Sequence, residues 1–191
     1  VADALDSARA AYGTERICVA CAGIAPAAKT VSRGNAHDAA LFARVIGINL
    51  VGSFNLASQS AAAMTANAPE GSDGERGVII HTASVAAYDG QIGQTAYAAS
   101  KGGVAGMVLP MARDLADKAV RVMAIAPGVF KTPMVEAFSQ EVQDAIGAQV
   151  PFPSRLGDPD EFAALAQHIV ENSMLNGGVI RLDGAIRMPP R

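Results

Sequence analysis

The sequence predicts an α/β fold, a doubly wound parallel sheet with helices on both faces. Three observations predict it. Short apolar runs of strand length, at 16–22, 78–82, 120–126 and 178–183, alternate with longer stretches of helical composition. Half of the 191 residues are hydrophobic and 17% are charged, which suits a well-buried domain and argues against disorder. The residues best equipped for chemistry lie directly after predicted strands, where ligands of such sheets bind.

Each element has a local reason. Residues 1–12 read as a helix stopped by Gly13. Arg16 to Ala22 reads as a buried parallel strand ending at Gly23. Ile24 to Asn35 reads as a loop with Pro26 and Gly34, and His37 to Asn67 as one long helix containing Gly47 and Gly52. The polar stretch 68–77 is a surface loop before the strand Val78–Thr82. Thr95 to Asp117 is Ala-rich and of helical length, although Pro110 removes a backbone hydrogen bond and is expected to bend it. The strand 120–126 is closed by Pro127-Gly128. Phe130 to Leu156 is a long, partly helical connection, Pro159 to Glu171 a helix, and Gly178 to Asp183 the last strand before a short tail. No repeat or domain boundary divides residues 1–191, which read as one domain.

Composition narrows the function. The net charge is −3 and no basic run occurs, so no nucleic-acid partner is expected. No apolar stretch of the roughly 18 residues needed to span a bilayer stands out, and no membrane partner is expected. Cys18 and Cys21 form a C-x-x-C spacing, but positions three apart on a strand point to opposite faces, which argues against a redox pair. Two cysteines without a framework fit a reducing compartment. His37, His81 and His168 are scattered and no metal site is expected. Met107 and Met111, four apart on a helix, read as packing.

The stretch Ser84 to Lys101, S-V-A-A-Y-D-G-Q-I-G-Q-T-A-Y-A-A-S-K, carries the chemistry. Tyr97 and Lys101 are four apart on a predicted helix and share a face. An ammonium beside a phenol favours phenolate and makes tyrosine a usable acid/base near neutral pH. One such pair arises by chance in roughly 6% of chains with this Tyr and Lys content, so the spacing alone reads equally as a surface pair. The strand-end positions of Gly23, Ser84 and Pro127-Gly128 give it a context. Gly23 alone would be an ordinary turn glycine, and Pro127-Gly128 alone a common turn signal.

With these residues, C-A-G at 21–23, N-L-V-G at 49–52 and P-G-V-F-K-T-P-M at 127–134, the chain resembles the short-chain dehydrogenase/reductase family, whose fold is Rossmann-like. Within that family, P-F-P-S-R-L-G-D-P at 151–159 and M-L-N-G-G-V-I-R-L-D-G-A-I-R-M at 174–188 are similar to the type-2 3-hydroxyacyl-CoA dehydrogenases. The resemblance implies a catalytic set. Tyr97 is the general acid/base, Lys101 lowers its pKa and holds the nicotinamide ribose, and Ser84 hydrogen-bonds the substrate oxygen. Asn49 holds a water that links Lys101 to solvent. Backbone groups of Cys21, Ala22 and Gly23 line the adenosine side of the cofactor, and Gly23 leaves room for it. Pro127, Gly128, Phe130 and Thr132 grip the nicotinamide carboxamide. Gln91 faces the substrate. The implied cofactor is NAD, with NADP open. The implied partner is a small-molecule substrate, such as an acyl-CoA, in a homotetramer of the cytoplasm, or of the mitochondrial matrix in a eukaryote. Gly102, Gly103 and Gly106 are expected to allow close helix approach.

The chain departs from the family pattern. No G-x-x-x-G-x-G appears, so the first βαβαβ portion, which cradles the pyrophosphate and chooses between NAD and NADP, is expected to lie outside these residues. Ala20 stands where relatives have Asn before the C-A-G turn, and His81 where many carry Asn. The leading expectation is hydride transfer between a nicotinamide cofactor and a secondary alcohol or ketone, foremost 3-hydroxyacyl-CoA to 3-oxoacyl-CoA. The alternatives are a 3-oxoacyl-carrier-protein reductase, a steroid or polyol dehydrogenase, and a truncated, non-catalytic scaffold subunit.

Overall fold

The computed structural model of the protein describes residues 1–136 and 139–190. In chain order it has helix α1 (Ala2–Tyr12), strand β1 (Ile17–Ala20), the short strands β2 (Val31–Ser32) and β3 (Asn35–Ala36), and helix α2 (Ala39–Ile46). A π-helical turn (Gly47–Val51) leads straight into α3 (Gly52–Met64). Strand β4 (Gly77–Thr82), helix α4 (Thr95–Asp114) and strand β5 (Val120–Pro127) follow. Then come α5 (Pro133–Glu136), α6 (Gln140–Gly147), α7 (Pro159–Glu171) and β6 (Val179–Leu182). Positions 137–138 of the expected connection lie outside the described residues.

The sheet is parallel throughout, in the order β1-β4-β5-β6. Its centre is continuously apolar because helices cover both faces. Ile79 packs with Val104, Val108 and Ala112 of α4 on one face, whereas Ile80 packs with Ile169 of α7 on the other. Each such fully buried side chain stabilises the fold by about 1.5–3 kcal/mol. The residues Val104, Val108 and Ala112 recur every four positions, so one stripe of α4 lies on the sheet. Met107 and Met111 pack against the same cluster, as their spacing predicts. Gly103 permits a close helix approach: a Cβ there would come within 2.7 Å of Leu50. At Gly106 no atom of another element among the described residues lies within 4 Å of that position.

Several expectations need correction. Among the described residues β1 has one strand neighbour and one covered face: Cys18 and Ala20 face the core, and Ile17 and Val19 lie on the face these residues leave open. The loop after it contains the β2-β3 hairpin, turned through Arg33 and Gly34, both with positive φ. The long helix runs over Ala39–Met64 as expected, with a π-helical turn at Gly47–Val51 within it that residue propensities do not encode. By length and composition, Ala39–Met64 could also cross a membrane, a feature the sequence reading missed; one side of it nonetheless packs on the sheet and α4. Helix α4 includes Pro110, which lies on its exposed side.

A buried arginine closes the far end of the molecule. Arg121 makes a two-pronged ion pair with Glu75 and donates to the carbonyls of Ile169, Val170, Asn172 and Leu175. It thereby satisfies carbonyls at the end of α7 that have no helical partner. The opposite end of α7 has a capping box from Asp158 and Glu161, with Pro159 in the first turn.

Candidate active site

The carboxyl ends of β1, β4 and β5 lie side by side, and the candidate residues gather there. Ser84 sits just past β4 in extended conformation, where it caps the turn Val85–Ala87. Its hydroxyl oxygen accepts the Ala86 N–H at 3.1 Å. The Ser84 O–H therefore remains available to donate. Tyr97 and Lys101 stand in the first turns of α4, with the Lys101 Nζ 5.8 Å from the centre of the Tyr97 ring. Lys101 is 5% exposed, and its Nζ donates to the Thr82 carbonyl at 2.6 Å.

Burial dominates the electrostatics of this pair. Burial pushes the Tyr97 phenol above its ordinary pKa, while the Ser84 hydroxyl draws it back. Burial lowers Lys101 to about 8, against a smaller opposing effect of Cys21. The Lys101 ammonium lies 5.8 Å from the ring centre and is tied to the Thr82 carbonyl, and burial is the largest influence on both groups.

Asn49 lies in the π-turn and is fully buried. Its Oδ1 accepts the Ile24 N–H at 2.8 Å. Its Nδ2 donates to the Ile24 carbonyl at 2.9 Å and to the Ser100 hydroxyl at 3.0 Å. Ser100 in turn donates to the Tyr97 carbonyl at 2.7 Å. The side chain of Asn49 thus serves as a clasp among β1, the π-turn and α4. A Cβ at Gly23 would lie 3.3 Å from Asn49 Oδ1 and 3.8 Å from Lys101 Nζ, so glycine keeps the space in front of both clear. Cys21 and Ala22 are exposed at the same strand end, and Thr82 Oγ1 contacts Cys21 Sγ at 3.8 Å. Cys18 and Cys21 are both free thiols, one buried and one exposed.

The β5 end is built by backbone bonds. Pro127 closes the strand, Gly128 N–H donates to Leu182 O at 2.9 Å, and a Cβ on Gly128 would touch Asp183 at 3.0 Å. Phe130 pairs with Gly157, and its ring packs where a Gly157 side chain would stand. Thr132 accepts the N–H groups of Val135 and Glu136 through its carbonyl, starting α5 beside the site. The Gln91 Nε2 donates to the Pro189 carbonyl at 3.1 Å, so it holds the tail. Sequence reading also missed Thr82, Ser100 and Ile24. Two of these act through backbone groups, which every residue type has; Ser100 had only its place before Lys101 as a signal.

His81, on β4, is fully buried and neither ring nitrogen has a partner among the described residues. It lies in register between Ala20 and Ala124. Burial, with Lys101 adding repulsion, lowers its pKa to about 4.

A parallel sheet whose strand ends gather a serine, a tyrosine and a lysine defines an oxidoreductase of the doubly wound, nucleotide-cofactor class. The chain belongs to the short-chain dehydrogenase family, whose model matches residues 1–143. It is 56% identical over 189 residues to 3-hydroxyacyl-CoA dehydrogenase type-2 of Bos taurus, covering 98% of this chain and 72% of the relative. It is 54% identical over 192 residues to the Homo sapiens protein of the same name, covering 100% and 73%. A crystal structure of 3-hydroxyacyl-CoA dehydrogenase type-2 from Mycobacterium avium, 43% identical, superimposes with a TM-score of 0.94 over 100% of this chain and 76% of that one. Dehydrogenases of this family use nicotinamide cofactors. The residues present fit that group: Gly23 leaves an open approach to Lys101, whose ammonium has two donors beyond the one given to Thr82.

Proposed function

We propose that the protein interconverts 3-hydroxyacyl-CoA and 3-oxoacyl-CoA. The observation that carries the reading is the meeting of Ser84, Tyr97 and Lys101 at the end of β4, in a chain 52–56% identical to relatives named for that activity. The nicotinamide group, when bound, supplies or accepts the hydride at the substrate carbon. In reduction, the Tyr97 O–H donates its proton to the carbonyl oxygen and the Ser84 O–H donates a hydrogen bond to the same oxygen. In oxidation Tyr97 takes the hydroxyl proton back. Lys101 orients the ribose hydroxyls and supplies positive charge when Tyr97 carries negative charge. Asn49 positions Lys101 through Ser100 and the Ile24 backbone, with a water carrying protons from Lys101 outward. Pro127, Gly128, Phe130 and Thr132 present the carboxamide side, and Cys21 and Ala22 the adenosine side. NAD is the proposed cofactor and a homotetramer the proposed assembly.

The test is NADH oxidation by the purified protein with acetoacetyl-CoA, beside Tyr97→Phe and a panel of carrier-protein thioesters, steroids and polyols. Turnover of the CoA thioester, lowered about 10²–10⁴-fold in the variant, is expected. Undiminished turnover by Tyr97→Phe overturns the mechanism, and preference for another substrate class overturns the substrate. Repeating the assay with NADPH decides the cofactor.

A further inference from the structure

One charged cluster lies outside the residues that handle the carbonyl. Arg181, on β6, donates through Nη2 to Asp89 Oδ2 at 2.7 Å and to the Ile186 carbonyl at 3.1 Å. Its Nε donates to Asp183 Oδ2 at 2.7 Å. The guanidinium also lies over the Tyr88 ring, 5.3 Å from its centre. Arg187 reaches Asp183 as well, at 3.3 Å. Arg181 and Asp89 are each 23% exposed, so this pair is less screened than a surface ion pair. A guanidinium fork can serve two carboxylates, a carbonyl and an aromatic face together; a lysine ammonium cannot.

The cluster ties together two segments far apart in sequence. Tyr88 and Asp89 belong to the stretch between Ser84 and Tyr97, while Asp183 and Ile186 begin the tail. Two further bonds fasten the same segments: Gln91 Nε2 to the Pro189 carbonyl at 3.1 Å, and Ile92 N–H to the Pro190 carbonyl at 3.0 Å. From the other side, Ala28 N–H bonds the Gly93 carbonyl at 2.8 Å, and Thr30 and Thr95 hydroxyls meet at 3.2 Å. Residues 88–95 are therefore clamped between the tail and the loop after β1. Ser84 stands just before the clamped stretch and Tyr97 just after it.

We infer that Arg181 is a positioning residue for the substrate side of the site. By fastening residues 183–190 to residues 88–92, it sets where the Ser84 and Tyr97 hydroxyls stand relative to each other. The inference rests on the reading that these two hydroxyls act on the substrate oxygen. Small displacements of such groups are costly to rate, so release of the clamp appears in turnover before it appears in folding.

The test compares Asp89→Asn, Arg181→Lys and Arg181→Gln with the unchanged protein. Asp89→Asn leaves the Arg181–Asp183 pair in place and answers the question if Arg181→Gln fails to fold. Four readouts are taken: amide hydrogen exchange of residues 85–94, kcat and KM for acetoacetyl-CoA, cofactor affinity by fluorescence titration, and melting temperature. Faster exchange at Ile92 and a loss of about tenfold in kcat/KM are expected, with cofactor affinity unchanged and Arg181→Lys failing to restore either. Unchanged exchange and kinetics in Asp89→Asn and Arg181→Lys overturn the inference. So does a parallel loss of cofactor affinity and melting temperature, which marks a general structural role. An unchanged protein that is inactive on the thioester overturns the proposed substrate, while the exchange readout still decides the clamp.

Discussion

Asn49 grips both backbone groups of Ile24, accepting its N–H at 2.8 Å and donating to its carbonyl at 2.9 Å. One side chain thus fastens the end of the first strand to a π-helical turn. Its remaining donor reaches Ser100, next to Lys101 in α4. The site is held together by this clasp as much as by the residues that perform chemistry.

Asn49→Ala removes three hydrogen bonds inside the core. It is expected to cost about 1–3 kcal/mol of stability, because the Ile24 backbone groups lose their partner in a partly buried place. Denaturant unfolding measures this. Activity is expected to fall further than stability, since Lys101 loses its alignment. A variant with full stability and full turnover would show that the clasp is dispensable.

Lys101 carries its charge only up to about pH 8, because burial disfavours the ammonium. The kcat/KM for reduction is therefore expected to decline about tenfold per pH unit above that value, if one proton governs it. The stability sign follows the same shift. The folded pKa lies below the ordinary 10.5, so the unfolded chain binds more protons between about 8 and 10.5. The cost of burying this charge is full below about 8 and is relieved as pH rises through that window. A pH–rate profile flat from 7 to 10 would sink the assignment.

His81 should make the protein sensitive to acid. Its folded pKa of about 4 is below the ordinary 6.5. The stability contributed by the neutral ring is full above 6.5 and is lost as pH falls through the window down to about 4. The shift corresponds to about 3 kcal/mol. His81→Asn, which does not titrate, is expected to flatten the fall in melting temperature between pH 7.5 and 4.5. An equally steep fall in the variant would assign acid lability to other groups.

Much of the fold was legible because its signals are periodic. The apolar runs of β4 and β5 are continuous, as strands covered on both faces must be. The Ala-rich stretch from Thr95 marked α4, and the helical stretch from Pro159 to Glu171 marked α7 with its bounds. Which face of β1 is covered was not legible, because that depends on elements packed from elsewhere in the chain. The π-turn at Gly47–Val51 within Ala39–Met64 was equally silent, since such a turn is set by what its extra residue must reach.

The site divides along the same line. The sequence by itself determined the chemistry: the residue types and spacing of Ser84, Tyr97 and Lys101, and their place after a strand. Only the tertiary structure decided the environment of those residues. It tied Lys101 to the Thr82 carbonyl, turned Asn49 onto Ile24 and engaged Gln91 with the tail. The physical reason is that residue type specifies which groups can donate, accept or titrate. Which partner each finds, and which way its pKa moves, depends on burial and on backbone groups brought together from distant parts of the chain.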